Sequence, residues 1–304
     1  MGCGVSNPDR VAQLIQRDPA GNDVIVLDLL GPHAGGQGIE LGEDVENLYH
    51  VPGSSRTESG AYQEGADVGL PRIDARVANV NLIVRGRSQT AFEQIDTLLW
   101  RVLSLHRDAV YRQYDSIGRW RETTVRLNST PKGSSSTIIG KRTHFVWPVE
   151  LLSGDPFWYS APIKVTFTRA DMTEVSPGVF EKTVEWSNPA NWPCYPQFRS
   201  GTITGDEKWT FPDGDSGVTH PVRVTAANGS FIVNTYPTDP TVLTRDGGNG
   251  AWAKMRAEAF DHPLAASTPI PRTVTIRLEG GTAASSMQVY LPQRWLQPIG
   301  GWAS

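Results

Sequence analysis

The sequence has little cysteine: Cys3 and Cys194 are the two thiols among 304 residues. They have no metal-ligand spacing and do not make a disulfide framework, so both are expected to be reduced. Long apolar runs are also lacking, so we expect no membrane insertion. The longest early run, residues 24–30, is interrupted by Asp28, which argues against a secretory signal. Residues 1–6 formally match a myristoylation pattern, but so short a match without a basic patch predicts no lipid anchor.

Catalytic signatures are absent as well. There is no G-x-S-x-G elbow and no H-E-x-x-H motif, and the six histidines lack metal-ligand spacing. The glycine-rich residues 31–38 precede a strand pattern rather than a helix, so they do not form a phosphate-binding loop. The acidic pairs Glu43-Asp44 and Asp206-Glu207 are better explained as solvated turns than as a glycosidase dyad. We therefore expect no catalytic residue, no metal site and no cofactor, and we predict that the protein is not an enzyme.

Turn residues, in contrast, are abundant. The chain contains 30 glycines and 22 prolines, spread at short intervals, which is typical of a mainly β protein with many turns. Charged residues make up 20% and hydrophobic residues 38%, a globular composition. A chain of this length predicts two domains, each large enough to bury its own core.

In the N-terminal half, local patterns predict one short helix, several strands and two loops. Pro8 at a first helical position, followed by Val11, Leu14 and Ile15, predicts a short capped helix. Residues 52–71 and 128–137 are predicted to be loops that order only in contact with neighbouring proteins. Alternating or β-branched residues predict strands at 24–30, 39–41, 72–85, 110–114, 123–127 and 144–152.

An amphipathic helix at residues 90–106 is the clearest element. Thr90 and Glu93 are spaced as a capping box at its start, and His106 at its end is a cation where the helix dipole favours one. A single apolar face needs a partner layer, so this helix is expected to cover a sheet. The apolar face consists of Phe92, Ile95, Leu98, Leu99, Val102 and Leu103.

A domain junction is predicted at residues 154–158, and the pattern beyond it contains strands only. Asn228-Gly229 stands between two alternating runs and predicts a hairpin with a type I′ turn. The fold class is therefore mainly β: a β-barrel or sheet domain with one helix at 1–157, then a β-sandwich at 158–304. The sandwich strands are predicted at 163–168, 180–186, 208–211, 218–226, 230–235, 272–278 and 287–291.

Three tryptophans of the C-terminal half lie near one another in sequence, and they allow two interpretations. Trp186, Trp192 and Trp209 are a candidate sugar platform, because aromatic faces on a β-sandwich stack on sugars. Core packing is the favoured interpretation, since tryptophan buries a large apolar area.

Charge is unevenly distributed along the chain. Residues 1–71 hold 3 basic and 11 acidic residues, whereas residues 72–142 hold 13 basic and 6 acidic residues. Such segments favour head-to-tail association of copies, with ring closure partly through charge. The pattern is equally compatible with neutralisation inside one fold.

Two segments resemble motifs of the distal tail proteins of long-tailed phages (siphophages). The run 185–201, which includes Asn188, Pro196 and Gly201, resembles a segment of their C-terminal galectin-like domain, although Ala190 stands where the family often has glycine. The second segment is Asp155, Pro156, Phe157 and Trp158, which resembles a signature at the end of the family's N-terminal domain. In addition, residues 291–295 are similar to minor tail proteins of phages of actinobacteria.

The resemblance implies a structural virion protein at the tail tip, assembled in the cytoplasm of the host bacterium. It implies a homohexameric ring, with the tail tube above and the tail-tip hub, tape-measure and other minor tail proteins below. Neither nucleic acid contact nor an enzymatic role is implied. A carbohydrate-binding tail module that helps attachment to the host surface is the first alternative. A cell-wall hydrolase lacks any catalytic constellation here, and a tail-tube or terminator protein is typically one small domain.

Overall fold

The computed structural model describes residues 10–59, 64–69, 71–131, 143–236, 242–244 and 260–300. The chain divides into two compact units, the first running to Trp158 and including Leu296–Gly300, and the second comprising Tyr159–Trp295. Within the described ranges, no helix has the length and apolar character needed to span a membrane.

In its described residues the first unit contains one helix, α1 (Gln89–Val102), and strands that alternate between buried and exposed residues. Its strands are β1 (Val11–Arg17), β2 (Asp23–Leu30), β3 (Ile39–Leu41), β4 (Gly53–Ser54), β5 (Thr57–Glu58), β6 (Asp67–Val68), β7 (Arg72–Ile73), β8 (Arg76–Arg85), β9 (Ala109–Tyr114), β10 (Trp120–Leu127) and β11 (His144–Ser153).

Seven of these strands form one antiparallel sheet in the order β2-β1-β9-β10-β11-β8-β3. The end strands β2 and β3 lie next to each other, so the sheet curls back on itself as a barrel. Along β8 every second residue is buried, from Ala78 through Val80 and Leu82 to Val84, and α1 packs against β8 and β1. The predicted barrel or sheet domain with one covering helix is confirmed.

The helix begins and ends earlier than the sequence pattern predicted. Its N-cap is Ser88, whose hydroxyl accepts a hydrogen bond from the Ala91 amide, so the predicted Thr90–Glu93 capping box does not form. The helix ends at Val102, and His106 therefore lies beyond its last turn, where Arg101 is the basic residue.

Two other N-terminal predictions were wrong. Residues 11–17 form β1 rather than a helix, because β1 pairs with β2 on one side and β9 on the other, and these long-range bonds override the local pattern. The segment 52–71 is not a continuous loop: β4 pairs with β7 and β5 with β6, which makes two short exposed ladders. Of the predicted loop 128–137, residues 132–137 lie outside the described residues.

The second unit is a β-sandwich, as predicted. Its strands are β12 (Trp158–Thr168), β13 (Thr173–Ser176), β14 (Val179–Asn188), β15 (Gln197–Ser200), β16 (Glu207–Pro212), β17 (Thr219–Val224), β18 (Phe231–Asn234), β19 (Val242–Thr244), β20 (Thr268–Gly280) and β21 (Ser286–Trp295). One sheet has the order β19-β18-β15-β21-β12 and the other β13-β14-β20-β16-β17. An aromatic-rich core lies between the sheets.

The predicted hairpin at Asn228-Gly229 does not form. Residues 226–228 form a short 3₁₀ helix, and Gly229 follows with a φ of +67°. The flanking strands enter different sheets, since β17 pairs with β16 whereas β18 pairs with β15 and β19. The Asn-Gly pair therefore connects the two layers of the sandwich, a use that the local turn signal does not distinguish from a hairpin.

Candidate assembly surface

The segment Asp155–Trp158, which resembles a family signature, begins with the exposed Asp155 and continues into the packed interior of the first unit. Phe157 and Trp158 are buried, and the Asp155 carboxylate faces the Phe157 amide at 3.4 Å. The indole N–H of Trp158 donates to the Tyr49 carbonyl at 2.9 Å. These contacts fix the end of the first unit, which is a structural role.

A buried arginine completes this packing. The guanidinium of Arg76 lies 4.9 Å from the centre of the Trp158 ring. It also donates to the Leu48 carbonyl at 2.9 Å and to the Thr123 hydroxyl at 2.6 Å. Burial lowers the pKa of Arg76 to about 10, so the arginine remains charged near neutrality. Its hydrogen bonds to a loop carbonyl and a strand hydroxyl tie separate parts of the first unit together.

In the second unit, Asn188 has a comparable structural role. The side chain is fully buried, and its amide nitrogen donates to the carbonyls of Trp192 at 2.9 Å and Ala265 at 3.1 Å. Its amide oxygen accepts from the Ala190 amide at 3.2 Å. Ala190 occupies the family's glycine position with its side chain buried, so alanine is accommodated there. Asn188 therefore joins the segments around residues 190 and 265.

The other two motif residues also have structural environments. The Pro196 carbonyl accepts a hydrogen bond from the Thr235 hydroxyl at 2.8 Å. Gly201 donates its amide to the Ser286 carbonyl at 3.0 Å, and a Cβ at this position would overlap the Ser286 hydroxyl. Gly201 therefore allows close packing between the end of β15 and the start of β21, and no ligand is needed to explain a glycine there.

Core packing, the favoured interpretation of the three tryptophans, applies to Trp186 and Trp209, and these two rings form no sugar platform. Trp186 and Trp209 are 1% and 0% exposed, because their positions on β14 and β16 point into the sandwich core. The Trp209 indole donates to the Glu207 carboxylate at 2.7 Å, and the Ser285 hydroxyl donates to the same carboxylate at 2.6 Å. Trp192 is half-buried. Glu207, one of the paired acidic residues, is thereby part of the core and not a solvated turn.

The charged N-terminal segments partly neutralise each other within one copy. Arg112 pairs with Asp23 at 3.0 Å and with Glu122 at 2.9 Å, and Arg17 pairs with Glu122 at 2.7 Å. These residues come from strands β1, β9 and β10 and the start of β2, so the network joins residues 1–71 to residues 72–142. Part of the charge that could have served contacts between copies is therefore used within one copy.

A surface feature that the sequence reasoning missed lies at one end of the first unit. Trp100 of α1 and Trp147 of β11 meet edge to face with ring centres 5.1 Å apart. We call the surface beside them the aromatic groove; its volume is about 400 Å³. Its lining residues are Trp100, Ser104, Leu105, His106, Leu127, Thr130, Pro131 and Trp147.

One carboxylate holds both tryptophans of the aromatic groove. Asp96 accepts hydrogen bonds from the indole N–H of Trp147 at 2.7 Å and of Trp100 at 3.1 Å. Burial raises the pKa of Asp96 although both indole hydrogen bonds act in the opposite direction. With both indole N–H groups bonded to this carboxylate, the rings are held in fixed positions and their carbon edges line the groove.

Two signals in the sequence pointed to this groove. Asp96 and Trp100 are four residues apart on the predicted helix, a spacing that places side chains in contact. Trp147 is two residues from both Phe145 and Val149 on a predicted strand, so the three side chains share one face of that strand. This is the face that the helix covers.

Within the described residues, no three histidine, cysteine, aspartate or glutamate side chains come together to hold a metal ion. Cys194 is buried, and burial raises its pKa to about 12, which makes it a poor nucleophile. Cys3 lies outside the described residues.

No family model matches the chain, and no curated protein matches it. Solved structures do match: the Dit protein of phage SPP1 is 13% identical with a TM-score of 0.53, covering 94% of this chain and 100% of that one. The phage P2 baseplate in its activated conformation with Ca is 11% identical with a TM-score of 0.55, covering 97% and 99%. The same baseplate with Sr gives a TM-score of 0.54. The resemblance to distal tail proteins is thereby confirmed at the level of the fold.

Proposed function

We propose that this chain is a structural component of a phage tail tip: a distal tail protein whose copies, six by the resemblance, form a ring. The ring connects the tail tube above to the tail-tip hub, tape-measure and other minor tail proteins below. The protein acts in the virion after assembly in the bacterial cytoplasm, and the proposal assigns it no catalytic step, cofactor or nucleic acid partner.

One observation carries the proposal: the structural likeness includes both units and nearly the whole length of both chains. The SPP1 protein is described as a paradigm of the hub adsorption apparatus of phages that infect Gram-positive bacteria, and the other neighbour is a phage baseplate. The two motif segments support the same interpretation, because Phe157, Trp158 and Asn188 are buried and help to hold the scaffold together.

Sugar binding is left out of the proposal. The platform suggested for it depended on Trp186 and Trp209, and both rings lie in the sandwich core. The galectin-like fold alone is not an argument for sugar binding, since a fold hosts many functions.

Labelling of intact virions tests the proposal. Gold-tagged antibodies against this chain should bind at the tip of the tail, at the end distal to the capsid, in electron micrographs. Antibodies against the major capsid protein serve as a control for specificity. Label along the whole tail tube, on the capsid, or absent from purified virions would contradict the proposed role.

A further inference from the structure

A single apolar side chain is displayed at the tip of the β9–β10 hairpin. Ile117 is 70% exposed, and the turn that carries it is tightly held. The Asp115 carboxylate accepts from the backbone amides of Ile117 at 3.0 Å and Arg119 at 2.9 Å, and from the Arg119 side chain at 2.8 Å. Burial opposes this charge, but these hydrogen bonds outweigh it and lower the pKa of Asp115. The isoleucine is thus presented on a rigid turn, which reduces the entropy lost on binding.

The aromatic groove lies at the opposite end of the same hairpin. Leu127 ends β10 and lines the groove, while Leu105 lines it from the segment just before β9. Ten residues separate Ile117 from Leu127, which in extended strand corresponds to roughly 30 Å. An exposed apolar side chain and an apolar groove therefore stand on opposite ends of one rigid element.

We infer that the Ile117 tip of one copy inserts into the aromatic groove of a second copy of this chain. This deepens the proposed ring by naming the surfaces that close it, and it rests on that proposal. An apolar side chain that fits a groove elsewhere on the same molecule makes a heterologous contact, and repeated contacts of this kind give a ring where the rotation closes.

Four charged residues of the first unit are already paired within one copy, whereas the apolar surfaces at Ile117 and Leu105 are exposed. The network of Arg17, Asp23, Arg112 and Glu122 is satisfied within one copy. The groove offers instead two half-buried indoles and the exposed side chain of Leu105, and aromatic residues are enriched at protein interfaces. The occupant expected from this chain is therefore an apolar side chain on a rigid support.

Substitutions on both surfaces test the contact. Ile117→Asp and Leu105→Asp should each weaken self-association by roughly 30-fold or more, because each places a charge in an apolar contact. Ile270→Asp is the matched control, since Ile270 is 79% exposed in the second unit and should leave association unchanged. Masses are measured by light scattering across a dilution series, with circular dichroism to confirm folding. Association that is equally strong in all four proteins overturns the inference.

Cross-linking gives an independent readout. In a Cys3→Ser background, Ile117→Cys and Leu105→Cys proteins are prepared separately, mixed, and treated with a short bis-maleimide. Linked pairs should contain one of each variant, and a protein carrying both cysteines should give a ladder of multimers. Replacing Ile117→Cys by Ile270→Cys should abolish the links. Links of equal yield with the Ile270 variant would overturn the contact.

The two proposals fail in different ways. If the unmodified protein stays monomeric at every concentration and forms no ring in the virion, the proposed ring itself is wrong. If it assembles but ignores changes at Ile117 and Leu105, only the contact fails. Salt separates the mechanisms further, because sulfate strengthens apolar contacts whereas salt screens exposed ion pairs. Rings that dissociate in high salt would contradict the apolar contact.

Discussion

The two units use their large aromatic residues in different ways. In the second unit the stacked rings of Trp209 and Phe211 have centres 6.1 Å apart, and the ring centres of Phe198 and Phe211 are 4.4 Å apart. All three rings lie within the core. In the first unit Trp100 and Trp147 stand half-buried beside a groove, fixed by one carboxylate. Buried aromatic residues stabilise the fold, whereas half-buried ones shape a surface. The degree of burial, not the residue type, therefore decides which role a tryptophan has.

Replacing one tryptophan in each unit should show the difference between the two units most clearly. Trp209→Ala should lower the free energy of unfolding by about 3–5 kcal/mol, because it empties a core position and leaves the buried Glu207 without its indole donor. Trp147→Ala should cost about 1–2 kcal/mol, since its ring is partly solvated. Urea unfolding followed by far-ultraviolet circular dichroism measures both. Equal costs would show that Trp147 is a core residue.

Asn188 should rank next. Asn188→Ala removes the donors to the Trp192 and Ala265 carbonyls and leaves buried acceptors unpaired, so a loss of about 2–3 kcal/mol is expected. Asn79→Ala in the first unit is the control, since Asn79 is exposed and should change stability by less than about 0.5 kcal/mol. A neutral Asn188→Ala protein in the same urea assay would refute the structural role of the motif.

A glycine before α1 should show a smaller effect of the same kind. A Cβ at Gly86 would overlap the backbone of Phe92, so Gly86→Ala should destabilise the first unit by about 2 kcal/mol. Gly154→Ala has open space around its Cβ and should remain within about 0.5 kcal/mol of the parent protein. Melting temperatures measured by calorimetry would contradict this packing if the two variants behaved alike.

The dependence of stability on pH should show the smallest effects, in a different window for each unit. The pKa of Asp96 is raised above 3.8 in the folded protein by burial, so the folded state binds more protons just above that pH. The contribution of Asp96 to stability should therefore fall as pH rises from about 3.8 through its folded pKa, and the Asp96→Asn protein should lack this contribution.

In the second unit the titrating group is a histidine. The hydrogen bond of His262 to Asp213, at 2.6 Å, raises the pKa of His262 above 6.5. Its contribution is complete below about pH 6.5 and is lost as pH rises through the folded pKa, which Asp213→Asn should abolish. Unfolding free energies measured from pH 3 to 9 check both slopes, roughly in steps of half a unit. Each slope is taken as the parent protein minus its variant, because carboxylates with a lowered pKa, such as Asp115, give the parent protein an opposite slope in the acidic window. A difference that stays flat or rises with pH in either window would contradict the assignment.

Much of the fold was predictable because alternation reports burial directly. The strand around residues 144–152 was found for this reason, the strand at 24–30 from its β-branched and aliphatic residues, and the helix that begins near Ser88 from its apolar spacing. The wrong predictions were those decided by distant partners: β1 lies between two strands, and Gly229 connects two sheets. The residues around β1 and Gly229 do not indicate which distant strands they will meet, so local sequence cannot predict these two features.

The candidate site was harder to predict than the fold. The motif residues Asp155 to Trp158 and Asn188 were selected from a resemblance, and among them Phe157, Trp158 and Asn188 are buried. The groove depends on Asp96 reaching two tryptophans, one on its own helix and one on a strand 51 residues away. The pairing of Asp96 with Trp147 is set by tertiary packing alone, so spacing along the chain indicates only half of the site.

The most direct test of the central claim is a cryo-electron microscopy reconstruction of the virion tail tip. We predict a six-fold ring of this chain at the junction of tube and tip, with Ile117 of each copy against Trp147 of the next. A ring of another protein at that junction, with this chain absent from the tip, would contradict it.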